Sequence, residues 1–284
     1  MIFLGDRLVA PGATRIDPAD RGFTLGDGVF ETLRAYGGRP FRLDAHLTRL
    51  ESGAAALGIP LPLPAARIAA AVAETLAANG LTTGDAAIRI TLSRGPAPRG
   101  LLPPETPRPT LMITTAAYQP PPPRPLSAVI VGIRRNEHSP LSRLKTLSYL
   151  DNVLAQREAA ERGADEAILL NTAGRLACTA RANLFVLRGR TLLTPPPSEG
   201  VLPGIARAEV LAIAAGLGIH AHETPLERNA LADADEAFLT NSLIEVAALG
   251  RIDGRAIGNG DAGPLTASIA AAYRRLADSR PDFA

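Results

Sequence analysis

Residues 120–123 are four consecutive prolines, inside a longer stretch, residues 116–127, that reads Ala-Ala-Tyr-Gln-Pro-Pro-Pro-Pro-Arg-Pro-Leu-Ser. Proline fixes φ and has no backbone N–H, so such a run can continue neither a helix nor a central strand. It favours an extended spacer instead. The chain must therefore fold on either side of it. At 284 residues it has the length of about two average domains. An N-terminal α/β domain is expected over 1–115, a linker over 116–127, and a second domain over 128–284.

Both sides alternate unevenly between strand and helix patterns. Before the prolines, Val29–Tyr36 reads as a strand ending in a Gly37-Gly38 turn. Leu43, Leu47, Leu50, Ala54 and Leu57 recur at helical spacing, as do Ile68, Val72 and Leu76. Ile88–Ser93 alternates as a half-buried strand, with Ile88, Ile90 and Leu92 on one face and Arg89, Thr91 and Ser93 on the other. Beyond the prolines, strands are expected near Ala128–Ile133, Ala167–Asn171, Asn183–Leu187, Thr191–Thr194 and Glu236–Thr240. Helices are expected from about Ser148 to Arg162, from Ile205 toward Gly218, and near Leu265–Leu276. This irregular order predicts an α+β fold rather than a doubly wound sheet.

Apolar residues make up 46% and charged residues 20%, with a net charge of +2, so a substantial core is available and general disorder is excluded. No basic tract points to nucleic acid or to an anionic membrane. The opening Met1–Arg7 reaches a charge at once and no apolar run approaches a bilayer span, so a soluble, cytoplasmic protein is expected. A single cysteine, Cys178, rules out an intrachain disulfide and a Cys-rich metal site. His220 and His222 are the only histidines close together, and with no third ligand nearby they read as a surface strand. No metal is expected.

Among 30 basic residues, only Lys145 is a lysine. A GC-rich codon bias would replace lysines by arginines without explaining the one that remains. Arginine substitutes for lysine in most ion pairs, but its guanidinium stays protonated and cannot condense with an aldehyde. Lys145 is thus a candidate for amine chemistry. Phosphate-binding, dinucleotide, nucleophile-elbow and HExxH motifs are absent.

Lys145 lies in Arg143-Leu-Lys-Thr-Leu-Ser-Tyr-Leu-Asp-Asn-Val-Leu154. Around it stand Asp20-Arg21-Gly22, Gly26-Asp27-Gly28-Val29-Phe30-Glu31, His46-Leu47-Thr48-Arg49-Leu50, Gly174–Phe185, Leu202-Pro203-Gly204-Ile205-Ala206-Arg207 and Leu239–Leu243. In this order the set resembles the fold-type IV (class IV) pyridoxal-phosphate enzymes, which include branched-chain and D-amino-acid aminotransferases and aminodeoxychorismate lyase. The resemblance spans nearly the whole chain. It implies a two-domain α+β fold with pyridoxal 5′-phosphate in the inter-domain cleft, and a homodimer.

Residue by residue, the resemblance implies that Lys145 carries the cofactor as an imine and shuttles the proton. Arg49 would clamp the cofactor phosphate, assisted by the amides of Ile205 and Ala206 and by Ser242. A helix N-terminus suits an anion on physical grounds as well, since its N–H groups lack intrahelical acceptors. The family's ring-nitrogen glutamate, five residues before Asn183, is replaced here by Cys178, which cannot supply that charge. For substrate, Phe30 stands where some relatives have tyrosine. Arg89 and Arg99 are candidate contacts, but the histidine that accompanies the latter in D-amino-acid aminotransferases is Leu101. The expected reaction is transamination between an amino acid (or amine) and a 2-oxo acid. The alternatives are aminodeoxychorismate lyase, releasing pyruvate and 4-aminobenzoate, and a catalytically weakened homologue that still binds the cofactor.

Overall fold

The computed structural model describes residues 1–279 and divides them into two compact units, Met1–Pro120 with Leu144–Tyr149, and Pro121–Arg143 with the chain from Leu150 onward. The last five residues of the expected second domain lie outside the described residues.

The first unit contains β1 (Ile2–Leu4), β2 (Arg7–Val9), α1 (Arg21–Leu25), β3 (Gly28–Tyr36), β4 (Arg39–Pro40), α2 (Leu43–Ala56), α3 (Ala65–Ala78), β5 (Ala86–Ser93) and β6 (Thr110–Ala117). The sheet order is β2-β1-β6-β5-β3-β4. Its pairings are antiparallel. The alternation read in Ile88–Ser93 is present: Ile88, Ile90 and Leu92 are buried with Val29, Leu33 and Leu111. Onto that face pack Leu47, Leu50 and Ala54 of α2 and Ile68, Ala71, Val72 and Leu76 of α3, whose spacing of three and four residues forms one apolar stripe per helix.

β4 pairs with only the end of β3, at Ala35 and Tyr36. The beginning of β3 is lined instead by residues 145–147. Phe30 N–H donates to the Lys145 carbonyl and Leu147 N–H to the Gly28 carbonyl, both at 2.9 Å, with a bridge between Val29 and Thr146. These bonds explain why Leu144–Tyr149 groups with the first unit, although the sequence boundaries place Lys145 in the second domain. Gly28 allows the approach, since a Cβ there would strike the Leu92 carbonyl and lie 2.7 Å from Leu147 Cδ1.

The second unit contains β7 (Leu126–Arg135), α4 (Leu150–Glu161), β8 (Glu166–Asn171), β9 (Leu176–Thr179), β10 (Asn183–Arg188), β11 (Thr191–Thr194), α5 (Ile205–Gly216), β12 (His220–Glu223), β13 (Glu236–Asn241), β14 (Glu245–Ile252), β15 (Arg255–Ala256) and α6 (Pro264–Asp278). Its nine-stranded sheet is mixed: β7 runs parallel to β8 and β14, and β11 to β12, among antiparallel pairs. This agrees with the α+β expectation. Ile168, Leu184, Leu239 and Leu249, from four of these strands, belong to one buried apolar cluster. His220 and His222 lie on β12, the last strand of the sheet, and both are exposed. Among the described residues no cluster of metal-binding side chains occurs, and no helix is long and apolar enough to cross a membrane.

Candidate active site

In the first unit, Lys145 is half-buried, and its Nζ stands 4.4 Å from the centroid of Phe30 and 5.6 Å from that of Tyr149. The two rings meet edge to face with centroids 5.3 Å apart. Arg89 joins the same cluster, its guanidinium carbon 3.9 Å from the Phe30 centroid. Cross-strand register accounts for this. Phe30 pairs with Thr91 and Thr32 with Arg89, so Phe30 and Arg89 share one face of the β3–β5 ladder. Three of the sequence-predicted residues, Lys145, Phe30 and Arg89, are therefore brought together.

The opposite face of β3 carries Glu31, 1% exposed between Val29 and Leu33. Two residues of α2 reach it. Arg49 donates from Nε to Oε1 and from Nη2 to Oε2, both at 2.7 Å. His46 Nδ1 lies 2.6 Å from Oε2. Burial alone would raise the Glu31 carboxyl, but the bonds from Arg49 and His46 overcome it and hold it below its usual range. Burial pushes His46 down, with help from the positive charges of Arg49 and Lys145 and against the pull of Glu31. The imidazole is thus neutral near pH 7 and uses Nδ1–H as the donor, because an ionised carboxylate only accepts. Arg49, expected to take a phosphate, is oriented here by a bidentate ion pair. Glu31, His46 and Tyr149 stand inside the sequence motifs. The contacts of Glu31 with His46 and Arg49 span 15 and 18 residues, and no local pattern announces them.

In the second unit, Cys178 pairs across β9–β10 with Asn183, and Asn183 pairs across β10–β13 with Thr240. Directly paired residues share a face, so these three form a row across the sheet. α5 begins beside that row. Its N-cap, Gly204, has no side-chain cap and lies against Asn183, whose Oδ1 would collide with any Cβ added there. Asn183 Nδ2 donates to the Leu202 carbonyl at 3.0 Å, fixing the turn into the helix. The first-turn amides of Ile205 and Ala206 have no acceptor within the helix. Thr240 is fully buried, yet its Oγ1 has no partner. Burying a hydroxyl without a hydrogen bond is costly, so this orphan and the uncapped helix start together fit a polar, anionic group. Ser242 follows two residues after Thr240, just past β13. Burial pushes the Cys178 thiol up, only partly offset by Arg135, so it is neutral and cannot supply the negative charge of a carboxylate. Arg99 sits on the exposed loop between β5 and β6.

The family model for amino-transferase class IV matches residues 28–252. The chain belongs to the class IV aminotransferases. Membership makes this protein an enzyme. The chain is 31% identical to the aminodeoxychorismate lyase of Bacillus subtilis over 276 residues, covering 97% of this chain and 94% of that one. It is also 31% identical to the D-alanine aminotransferase of Bacillus licheniformis over 283 residues, covering 96% and 95%. Among solved structures, a branched-chain aminotransferase from the thermophilic archaeon Thermoproteus uzoniensis, with norvaline, superposes with a TM-score of 0.91. It is 33% identical, with coverage of 97% of this chain and 94% of that one. The fold-type IV resemblance read from the motifs is thereby confirmed.

Proposed function

We propose that this class IV aminotransferase uses pyridoxal 5′-phosphate on Lys145 to move an amino group between an amino acid and a 2-oxo acid. The observation that carries the proposal is the position of the chain's one lysine, on the edge of β3 against Phe30 and Tyr149. When bound, the cofactor supplies an electron sink for charge developing at the substrate α-carbon.

The residues divide the remaining work. Lys145 Nζ would hold the cofactor covalently, and its amine would accept and return the substrate α-proton. Phe30 and Tyr149 wall off one side of the amine and limit its hydration. The uncapped start of α5, at Ile205 and Ala206, would take the phosphate with Ser242, and the family resemblance assigns Arg49 to the phosphate as well. Glu31 fixes the plane of the Arg49 guanidinium for that contact. Cys178 would stand at the ring nitrogen, where its neutral thiol supplies no negative charge and would weaken the sink. Arg89 and Arg99 receive substrate carboxylates. We further propose a cytoplasmic homodimer; exposed Phe23, Leu25, Leu101 and Leu102 on the first unit are apolar surface of the kind that marks association.

The specific test is substrate exchange. Purified protein with cofactor is incubated with aliphatic L- or D-amino acids and a 2-oxo acid, and separately with aminodeoxychorismate. The proposal expects a new oxo acid only when an acceptor is present. Pyruvate and 4-aminobenzoate without any acceptor would favour the lyase reading, which the similarity to the Bacillus subtilis enzyme keeps in play.

A further inference from the structure

Arg21 opens α1 with its side chain turned inward, 5% exposed. Nε donates to Asp27 Oδ2 at 2.7 Å. Nη1 donates to the Gly100 carbonyl at 2.9 Å and, at 3.5 Å, to that of Leu102; Nη2 donates to the Leu101 carbonyl at 2.9 Å. One guanidinium therefore gathers three consecutive carbonyls of the loop that joins β5 to β6.

Asp27 is shared with a second buried arginine. Arg94 donates from Nε to Oδ2 at 2.7 Å and from Nη2 to Oδ1 at 3.0 Å. Its other bonds reach the carbonyls of Gly58 at 2.9 Å and Leu57 at 2.7 Å, just beyond α2. Asp27 thus ties the loop, through Arg21, to the end of α2, through Arg94.

The loop's own side chains do not anchor it. Leu101 is 83% and Leu102 88% exposed, and Arg99 is exposed as well. A surface loop with little packing opens readily. Within one chain the backbone faces inward onto a charged donor while the side chains face out, where the proposed homodimer would cover Leu101 and Leu102, so charge-assisted bonds are the chain's own restraint on the loop.

We propose that Arg21 is a positioning residue for substrate recognition: by holding the 100–102 carbonyls it fixes the backbone from which Arg99 receives a substrate carboxylate. The inference rests on the proposed role of Arg99. Arg21 itself touches no substrate. It sets where the neighbouring arginine begins, and so selects amino acids by their carboxylate.

Two variants test this in the full-length holoenzyme. Arg21→Lys keeps a cation for Asp27 but loses the fork that gathers the carbonyls. Gly100→Ala acts without touching the buried ions: Gly100 has φ +138, which side-chain-bearing residues rarely adopt, and no atom lies within 4 Å of an added Cβ. The substitution must rotate the loop tip while leaving the core intact. Measurements are cofactor affinity, KM and kcat for the amino acid, the inhibition constant of an unreactive aliphatic carboxylate, and amide hydrogen exchange over residues 99–104.

Both variants should retain cofactor affinity and exchange faster in the loop. KM and the carboxylate inhibition constant should rise together by roughly tenfold, the equivalent of about 1.4 kcal/mol, with kcat within about twofold. Unchanged constants in Gly100→Ala, or a matching loss of cofactor affinity in Arg21→Lys, would overturn the positioning role. Wild-type constants in Arg99→Ala would remove the carboxylate reading on which it rests, whereas absence of cofactor binding in the wild-type protein would remove the proposed function itself.

Discussion

At the scale of single residues, Glu31 binds α2 to β3 through Arg49 and His46, all within the buried face. Removing one member of a buried ion pair leaves its partner uncompensated, which costs about 3–5 kcal/mol. Glu31→Gln should therefore lower unfolding stability by about 3 kcal/mol in denaturant titrations, the lower end because Arg49 keeps some exposure. It should also weaken cofactor binding if Arg49 holds the phosphate. The pH dependence follows from two depressed native pKa values. The unfolded chain binds protons at His46 and Glu31 more readily than the folded one, so stability falls on acidification. The His46 contribution is complete above about pH 6.5 and fades as pH drops below it; that of Glu31 begins to fade near its ordinary value of 4.5. Denaturation midpoints between about pH 4 and 8 measure this, and His46→Gln should flatten the upper part of the curve.

Cys178 has a different consequence. If, as proposed, Cys178 stands at the ring nitrogen of pyridoxal 5′-phosphate, its neutral thiol would leave the ring a weaker electron sink, and Cys178→Glu should raise turnover by roughly tenfold, with a carboxylate favouring ring protonation. An unchanged or lower rate would count against this reading of Cys178. Lys145 stands out in the sequence as the sole lysine, and Cys178 by its place five residues before Asn183. The Arg21–Asp27–Arg94 cluster does not. Its members stand in or beside recognised motifs, but only the folded chain brings Gly100, Leu101 and Leu102 onto one guanidinium.

At the scale of elements, the helices were legible where apolar residues repeat at three and four, as in α2 and α3, and the strands where alternation is clean, as in β5. β6 was not read because no strand was assigned to residues 110–115, and the last two residues of Thr110–Ala117 fall in the stretch taken as the linker, 116–127. β14 was hidden because Glu245–Ile252 is rich in alanine and includes Gly250, a composition that favours neither strand nor half-buried alternation. The glycine-started α5 was expected and is present, and its close contact with Asn183 adds a reason for the glycine that no periodicity reveals. Gly204→Ala should force the helix start off Asn183 and weaken cofactor affinity by about tenfold or more, since an anion at a helix N-terminus depends on amide direction. Titration of the apoprotein with pyridoxal 5′-phosphate, followed by absorbance, gives the comparison.

At the scale of the whole molecule, the chain forms two compact units that change over at residues 120–121, inside the proline run, and it then returns six residues, Leu144–Tyr149, to the first of them. That return places the amine on a strand edge chosen by backbone bonds rather than by its own side chain, and no local pattern in the sequence announces it. The proposed homodimer predicts a sedimentation mass near twice the 29.6 kDa of one chain. Leu101→Asp with Leu102→Asp should shift it toward the monomer if this apolar loop is part of the interface.

The most direct test of the account is borohydride reduction of the protein with pyridoxal 5′-phosphate, followed by peptide mass spectrometry. Lys145 is the only side-chain amine, so the outcome is read at one peptide. A pyridoxyl adduct on that peptide is the predicted result. An unmodified Lys145 under saturating cofactor would contradict the central claim.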